Sequence, residues 1–279
     1  MQTLKKATSR VPVTVLMQGK DFDRAIPRSL SATILRKPDM KVAESATNLF
    51  VFSAATRLSS VEEFVQAANR HHHLRALFVK EDVDPKWLPQ MLSRANLRML
   101  RNVIVHSGPE VPMRVMFAWQ AGAQERLIAN AVLSGDKLFV VNCALEQLEV
   151  SFSEIRALMD IPVEDRGSFE IAEDGSYIAW PKSDVHIDMD TIRASVDKEF
   201  REQHEAMKLV ADRKFGEAVS ALRKRAGLRQ SDIEGLSERQ VRRIENGERP
   251  KVASLRLLAE THGMALNEYL KTVARTIDK

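Results

Sequence analysis

The chain has 279 residues, 44% of them apolar and 29% charged, which is enough Leu, Val, Ile and Phe to build cores and more length than one core usually occupies. Two or three folded domains are therefore expected, and a disordered chain is not. The net charge of +4 is small but uneven: residues 213–279 hold fifteen Lys and Arg against nine Asp and Glu, a net +6, which leaves the rest of the chain at −2.

Lys5, Lys6 and Arg10 precede the short apolar run Val11 to Met17, which contains a Pro and a Thr and lacks a small-residue cleavage site, so it does not read as a secretory signal. No apolar run is long enough to span a bilayer. A cytoplasmic protein without membrane contact is the expectation. Cys143, the single cysteine, cannot form an internal disulfide, and within the apolar run Leu138 to Ala144 it reads as a buried, inert thiol.

In chain order, Leu49 to Phe52 reads as a buried strand and Val61 to Arg70 as a helix capped by Ser59 or Ser60, with Glu62 and Glu63 in its first turn. Leu77 to Val79 is a second strand. After Asp84-Pro85, Trp87 to Arg94 is helical, and Asn102 to His106 is a third strand. This alternation predicts a small α/β layer with a parallel sheet over residues 1–118. The pattern does not place Val11 to Met17 or Arg28 to Lys41.

Residues 119–190, together with the short run Met113 to Trp119 just before them, read as an antiparallel α+β module. Its further runs are Arg126 to Leu133, Lys137 to Asn142 and Gln147 to Phe152, with a hairpin turn at Ser134-Gly135-Asp136. Ser153 to Met159 is expected as a short helix capped by Ser153. Asp174-Gly175 makes a second turn between Ser168 to Ile171 and Tyr177 to Trp180. The residues Phe169-Glu170-Ile171, Asp174-Gly175, Ile178-Ala179-Trp180-Pro181, Asp184 and Ile187 resemble the end of a small bacterial domain of unknown function with a Trp-Pro signature, which is found fused ahead of a helix-turn-helix. That resemblance implies an architecture and no chemistry. Trp180 by itself reads as a core aromatic before a rigid turn.

Residues 191–213 carry Ile192, Val196, Phe200, Met207 and Val210 among many charges, the stripe of a connecting helix or of a contact between two chains. From 214 to 279 an all-α, five-helix domain is expected. Phe215, Val219 and Leu222 share one face of its first helix, which Gly227 stops. A short second helix follows Gln230, with Ile233 pointing inward. Ser237 is the N-cap of a third helix, Gln240 completes a capping box, and Val241 and Ile244 anchor that helix. Glu238, Arg239, Arg242 and Arg243 are then free to project outward, and Arg is the commonest reader of guanine edges. Asn246-Gly247 ends the helix. A basic turn, Arg249-Pro250-Lys251, precedes a fourth helix from Ser254 to Thr261, and Asn267 to Val273 is a fifth.

This pattern resembles the Cro and repressor-type helix-turn-helix family, often called the XRE family, at Leu222-Arg223, Gly227-Leu228, Gln230, Ile233, Leu236-Ser237, Val241, Ile244-Glu245, Gly247, Leu255 and Leu258-Ala259. The resemblance implies double-stranded DNA as partner and a homodimer reading two half-sites. It further implies that Gln230 touches a phosphate or base, that Glu238, Arg239, Gln240 and Arg242 enter the major groove, and that Asn246 and Lys251 hold the backbone. The segment between Gln230 and Ser237 is a residue or two shorter than the family's pattern, which clips the second helix.

Taken whole, the fold class expected is α+β multidomain, and the function a DNA-binding transcriptional repressor whose front modules sense a small effector or bind a protein partner. An antitoxin-like protein that neutralises a partner and regulates itself is the alternative. No cofactor, metal or catalytic group is implied: adjacent His71, His72 and His73 point different ways on a helix, and no phosphate loop or nucleophile elbow is present.

Overall fold

The computed structural model describes residues 11–17 and 30–277, so Lys5, Lys6, Arg10 and the start of the Arg28 to Lys41 stretch lie outside the described residues. The chain divides into two compact units, Met1–Val196 and Asp197–Lys279. It is mixed α/β, with a parallel sheet near the N-terminus, antiparallel sheets after it and helices at the C-terminus.

The first unit runs β1 (Val13–Met17), β2 (Ala32–Leu35), α1 (Met40–Ser45), β3 (Leu49–Ala54), α2 (Glu62–Arg70), β4 (Leu74–Lys80), α3 (Leu88–Arg94), β5 (Val103–His106) and α4 (Glu110–Gln120). All strand pairings here are parallel, in the order β2-β1-β3-β4-β5. Helices cover both faces, which is why β3 and β4 are nearly unbroken apolar runs. Leu16, Val51, Leu77 and Val79 meet Ala43, Phe64, Val65 and Leu92 from α1, α2 and α3 on one side. Met17, Phe50, Phe52 and Phe78 meet Val115, Met116 and Ala118 of α4 on the other. β1, which the sequence pattern leaves unplaced, is an interior strand.

Two local expectations change here. A 3-10 helix, Ala55–Ser60, occupies the serines expected to cap α2, whose N-cap is instead Val61, without a side-chain hydrogen bond. Met113 to Trp119 is no strand but the body of α4, opened by Pro109 and Glu110 and burying Pro112, Val115, Met116 and Ala118. A short apolar run fits a strand and a buried helix equally well by periodicity alone. Asp84, by contrast, behaves as its position suggests: its carboxylate accepts from the Lys86 N–H at 3.1 Å ahead of Pro85–Trp87 and α3.

Two three-stranded antiparallel sheets follow: β6 (Ile128–Ser134), β7 (Lys137–Asn142) and β8 (Gln147–Ser151), then β9 (Glu170–Ile171), β10 (Ile178–Trp180) and β11 (Val185–Ile187). Gly135, at φ +65°, turns the first hairpin, in which Ser134 pairs with Lys137. Gly175 is more constrained: its φ is +75°, and a Cβ would stand 2.5 Å from the Ile128 carbonyl oxygen. Between the sheets, α5 (Arg156–Met159) begins later than expected, because Ser153 faces the Ser151 hydroxyl at 3.0 Å rather than capping a helix. Trp180 is fully buried, lies edge-on to Phe152, and donates its indole N–H to the Arg166 carbonyl at 2.9 Å. Cys143 is buried, and burial pushes its thiol up to about 12. Helix α6 (Met189–Val196) completes this core with Met189 and Ile192.

The second unit comprises α7 (Lys198–Arg225), α8 (Glu238–Glu245), α9 (Val252–Thr261) and α10 (Leu266–Ile277). Helix continues across residues 191–213 only in two pieces. Asp197 interrupts it and caps α7 by accepting the Phe200 N–H at 2.9 Å, and α7 then runs without a break through the expected first helix of the C-terminal region.

Candidate functional site

The site is built on α8. Ser237 caps it as expected: its hydroxyl accepts from the Gln240 N–H at 3.3 Å, and the Gln240 side-chain carbonyl accepts from the Ser237 N–H at 2.9 Å. These bonds satisfy amides that a helix start leaves open and fix where α8 begins. Val241 and Ile244 are buried against Ala218, Val219 and Leu222 of α7, together with Leu258, Ala259, Tyr269 and Val273. Leu255, another position of the helix-turn-helix pattern, is only half-buried.

The opposite face follows from helical spacing. Arg239, Arg242, Arg243 and Asn246, at i, i+3, i+4 and i+7, are all exposed, as is Glu238 at the helix start. Among the described residues neither Arg239 nor Arg242 has an ion-pair partner, whereas Arg243 is held by Glu248. Lys251, exposed, precedes α9. A row of guanidinium forks on a helix fixed from behind suits a ligand that presents phosphates or base edges.

Two expected site residues are engaged elsewhere. The Gln240 carbonyl is used in the cap. Gln230 is half-buried and donates its amide N–H to Glu245 at 2.7 Å. The helix expected after Gln230 is a single 3-10 turn, Gln230–Asp232, with Ile233 buried behind it. The few residues available before Ser237 leave no room for another turn.

Sequence reasoning missed what joins these pieces. Arg223 in α7 and Glu245 at the end of α8 form a buried ion pair, Nε to Oε1 at 2.6 Å and Nη2 to Oε2 at 3.1 Å, and a further Arg223 N–H donates to the Leu228 carbonyl at 2.7 Å. Their side chains are only 8% and 7% exposed. Burial alone would push the Glu245 carboxyl up, but the hydrogen bonds from Arg223 and Gln230 outweigh it and leave the group below its ordinary value. The hydrogen bond to Glu245 likewise raises Arg223. The available signal was an Arg and a Glu both lying within otherwise apolar motif positions. Gly216 allows the same two helices to touch: a Cβ there would stand 2.5 Å from the Glu245 carbonyl oxygen and 2.6 Å from that of Ile244.

Elsewhere, His73 Nδ1 lies 3.1 Å from the Ala43 carbonyl oxygen, and His72 adopts φ +57° as the chain leaves α2. Among the described residues no group of three His, Cys, Asp or Glu could hold a metal ion, and no helix is long and apolar enough to cross a membrane. No family model matches the chain, and neither a curated protein nor a solved structure matches it.

Proposed function

We propose that the second unit is a helix-turn-helix domain that binds double-stranded DNA sequence-specifically, and that the protein is a transcriptional repressor. The observation that carries the reading is the division of α8 into a buried apolar face and an exposed face of Arg239, Arg242, Arg243 and Asn246. In this reading α8 enters the major groove. The last turns of α7, the Gln230–Asp232 turn, α8, α9 and α10 then correspond to the five helices of a repressor-type domain, with the second reduced to one turn. Glu238 and Arg239, nearest the N-terminus of α8, reach base edges, while Asn246 and Lys251 contact the phosphate backbone.

Dimerisation belongs to the same proposal. Met207 and Val210, three apart on one face of the first half of α7, are 61% and 56% exposed, an apolar surface suited to a second copy. The same residues favour the alternative of a protein partner, in which the protein neutralises that partner and regulates its own synthesis. A stoichiometric second protein that co-purifies and is lost on Met207→Glu would support that alternative over self-association.

The deciding experiment is fluorescence anisotropy of the full chain on its own upstream duplex and on random duplex across a salt titration. A preference of about a thousandfold or more that survives physiological salt supports a specific regulator. Equal binding to both, erased by salt, refutes it.

A further inference from the structure

We propose that the first unit carries a second nucleic-acid surface, on α3 and the loop after it, that takes single-stranded nucleic acid, stacking a base on Trp87 and holding phosphates with Arg94 and Arg98. From Pro85 to Pro109 the sequence contains Lys86, Arg94, Arg98 and Arg101 and no Asp or Glu, although the whole chain has 38 acidic residues. The structure brings two of these cations, Arg94 and Arg98, to one concavity. Leu88, Met91 and Leu92 turn α3 inward onto the sheet, so Trp87, Gln90 and Arg94, spaced three and four apart, face out. Pro89, Gln90, Ser93, Arg94 and Arg98 line an open concavity of about 330 Å³.

Among the described residues Arg94, Arg98 and Arg101 have no ion-pair partner, while Lys86 is paired with Asp84 at 2.8 Å. Like charges left together on a surface repel one another and are relieved by a polyanion. The guanidinium fork matches a phosphate, and Gln90 and Ser93 beside it supply neutral donors.

Trp87 selects among polyanions. Its ring is 47% exposed at the start of this face, with the Lys86 ammonium 5.9 Å from the ring centroid. An exposed indole at the start of the helix face that carries Arg94 offers a stacking platform to any unpaired base. Bases inside a duplex are already stacked, and an acidic polypeptide has no base to offer. The surface is thereby distinguished from the α8 face, which has arginines and no aromatic.

The test uses the full chain and a fluorescein-labelled oligo(dT) of about fifteen nucleotides, a length on the scale of one binding groove. Anisotropy reports binding, and tryptophan emission reports Trp87, since Trp180 is buried and Trp119 lies half-buried under the Arg75 guanidinium. Salt-sensitive binding with quenched emission is expected. R94E/R98E and the milder R94Q/R98Q should weaken it about tenfold or more, and W87A should do the same and abolish the quench. All three should keep duplex binding and an unchanged circular dichroism spectrum, because every altered side chain is exposed. Unchanged oligo(dT) affinity in both double variants overturns the proposal. So does loss of that affinity in R239A/R242A alone, or competition by polyglutamate as effective as that by unlabelled oligo(dT).

Discussion

The Arg223 guanidinium and the Glu245 carboxylate meet side by side, two hydrogen bonds deep between α7 and α8, and thereby fix the helix that carries the exposed arginines. Neither group touches a ligand in the proposed reading. Their effect is on position: the pair ties the end of α8 to α7, and Gln230 donates to the same carboxylate from the intervening turn.

Breaking one half of this pair should be costly. Glu245→Ala leaves a buried guanidinium without its counter-charge, and a loss of about 3–5 kcal/mol in denaturant unfolding of the second unit is expected. The double replacement Arg223→Met with Glu245→Leu should recover most of it, since no charge then remains buried. A double variant as unstable as the single one would show that the pair is not the reason for the loss.

Acid should loosen this unit through the same carboxyl. Because the folded Glu245 lies below its ordinary value of 4.5, its stabilising contribution is complete above that pH and is lost as pH falls through the lower folded value. Glu245→Gln should flatten that part of the curve of melting temperature against pH. An unaltered curve would assign the acid sensitivity to other groups.

Gly216→Ala tests the contact between α7 and α8 directly. In an exposed helix the change would stabilise by about 1 kcal/mol, yet here the new methyl meets two backbone carbonyls that cannot turn aside. A net destabilisation of about 1–3 kcal/mol by thermal unfolding is expected.

Tyr269 offers a change in the opposite direction. It is fully buried, its hydroxyl has no hydrogen-bond partner among the described residues, and burial pushes it up to about 12. Tyr269→Phe removes a desolvated polar atom, so the melting temperature should stay level or rise, by the equivalent of up to about 1 kcal/mol. A clear fall would reveal a partner for the hydroxyl.

On the DNA reading, Arg239→Ala should cost about 1–3 kcal/mol at one base position and relax specificity there, whereas Lys251→Ala should weaken every sequence alike and reduce the salt slope by about one. Competition binding with single-base operator variants separates the two. Equal losses on specific and random duplex for Arg239→Ala would remove it from base recognition.

Much of this protein could be read locally. The cap at Ser237 with Gln240, the inward Val241 and Ile244 and the turn at Gly135 depend on residues within a few positions of one another, so spacing alone specifies them. The parallel sheet was legible for a related reason, because strands covered on both faces must be apolar throughout. Met113 to Trp119 is an apolar run that serves a strand or a buried helix equally well, and only the core that receives it distinguishes them.

Sequence by itself determined which residues of α8 face outward, since a helix of fixed period with two apolar anchors leaves the arginines only one side. Tertiary structure alone decided that β1 lies inside the sheet, that Gln230 is held by Glu245, and that Arg223 finds its counter-charge 22 residues away. Those outcomes depend on contacts between segments distant in the chain, where desolvation and close approach choose the partner and no local period records the choice.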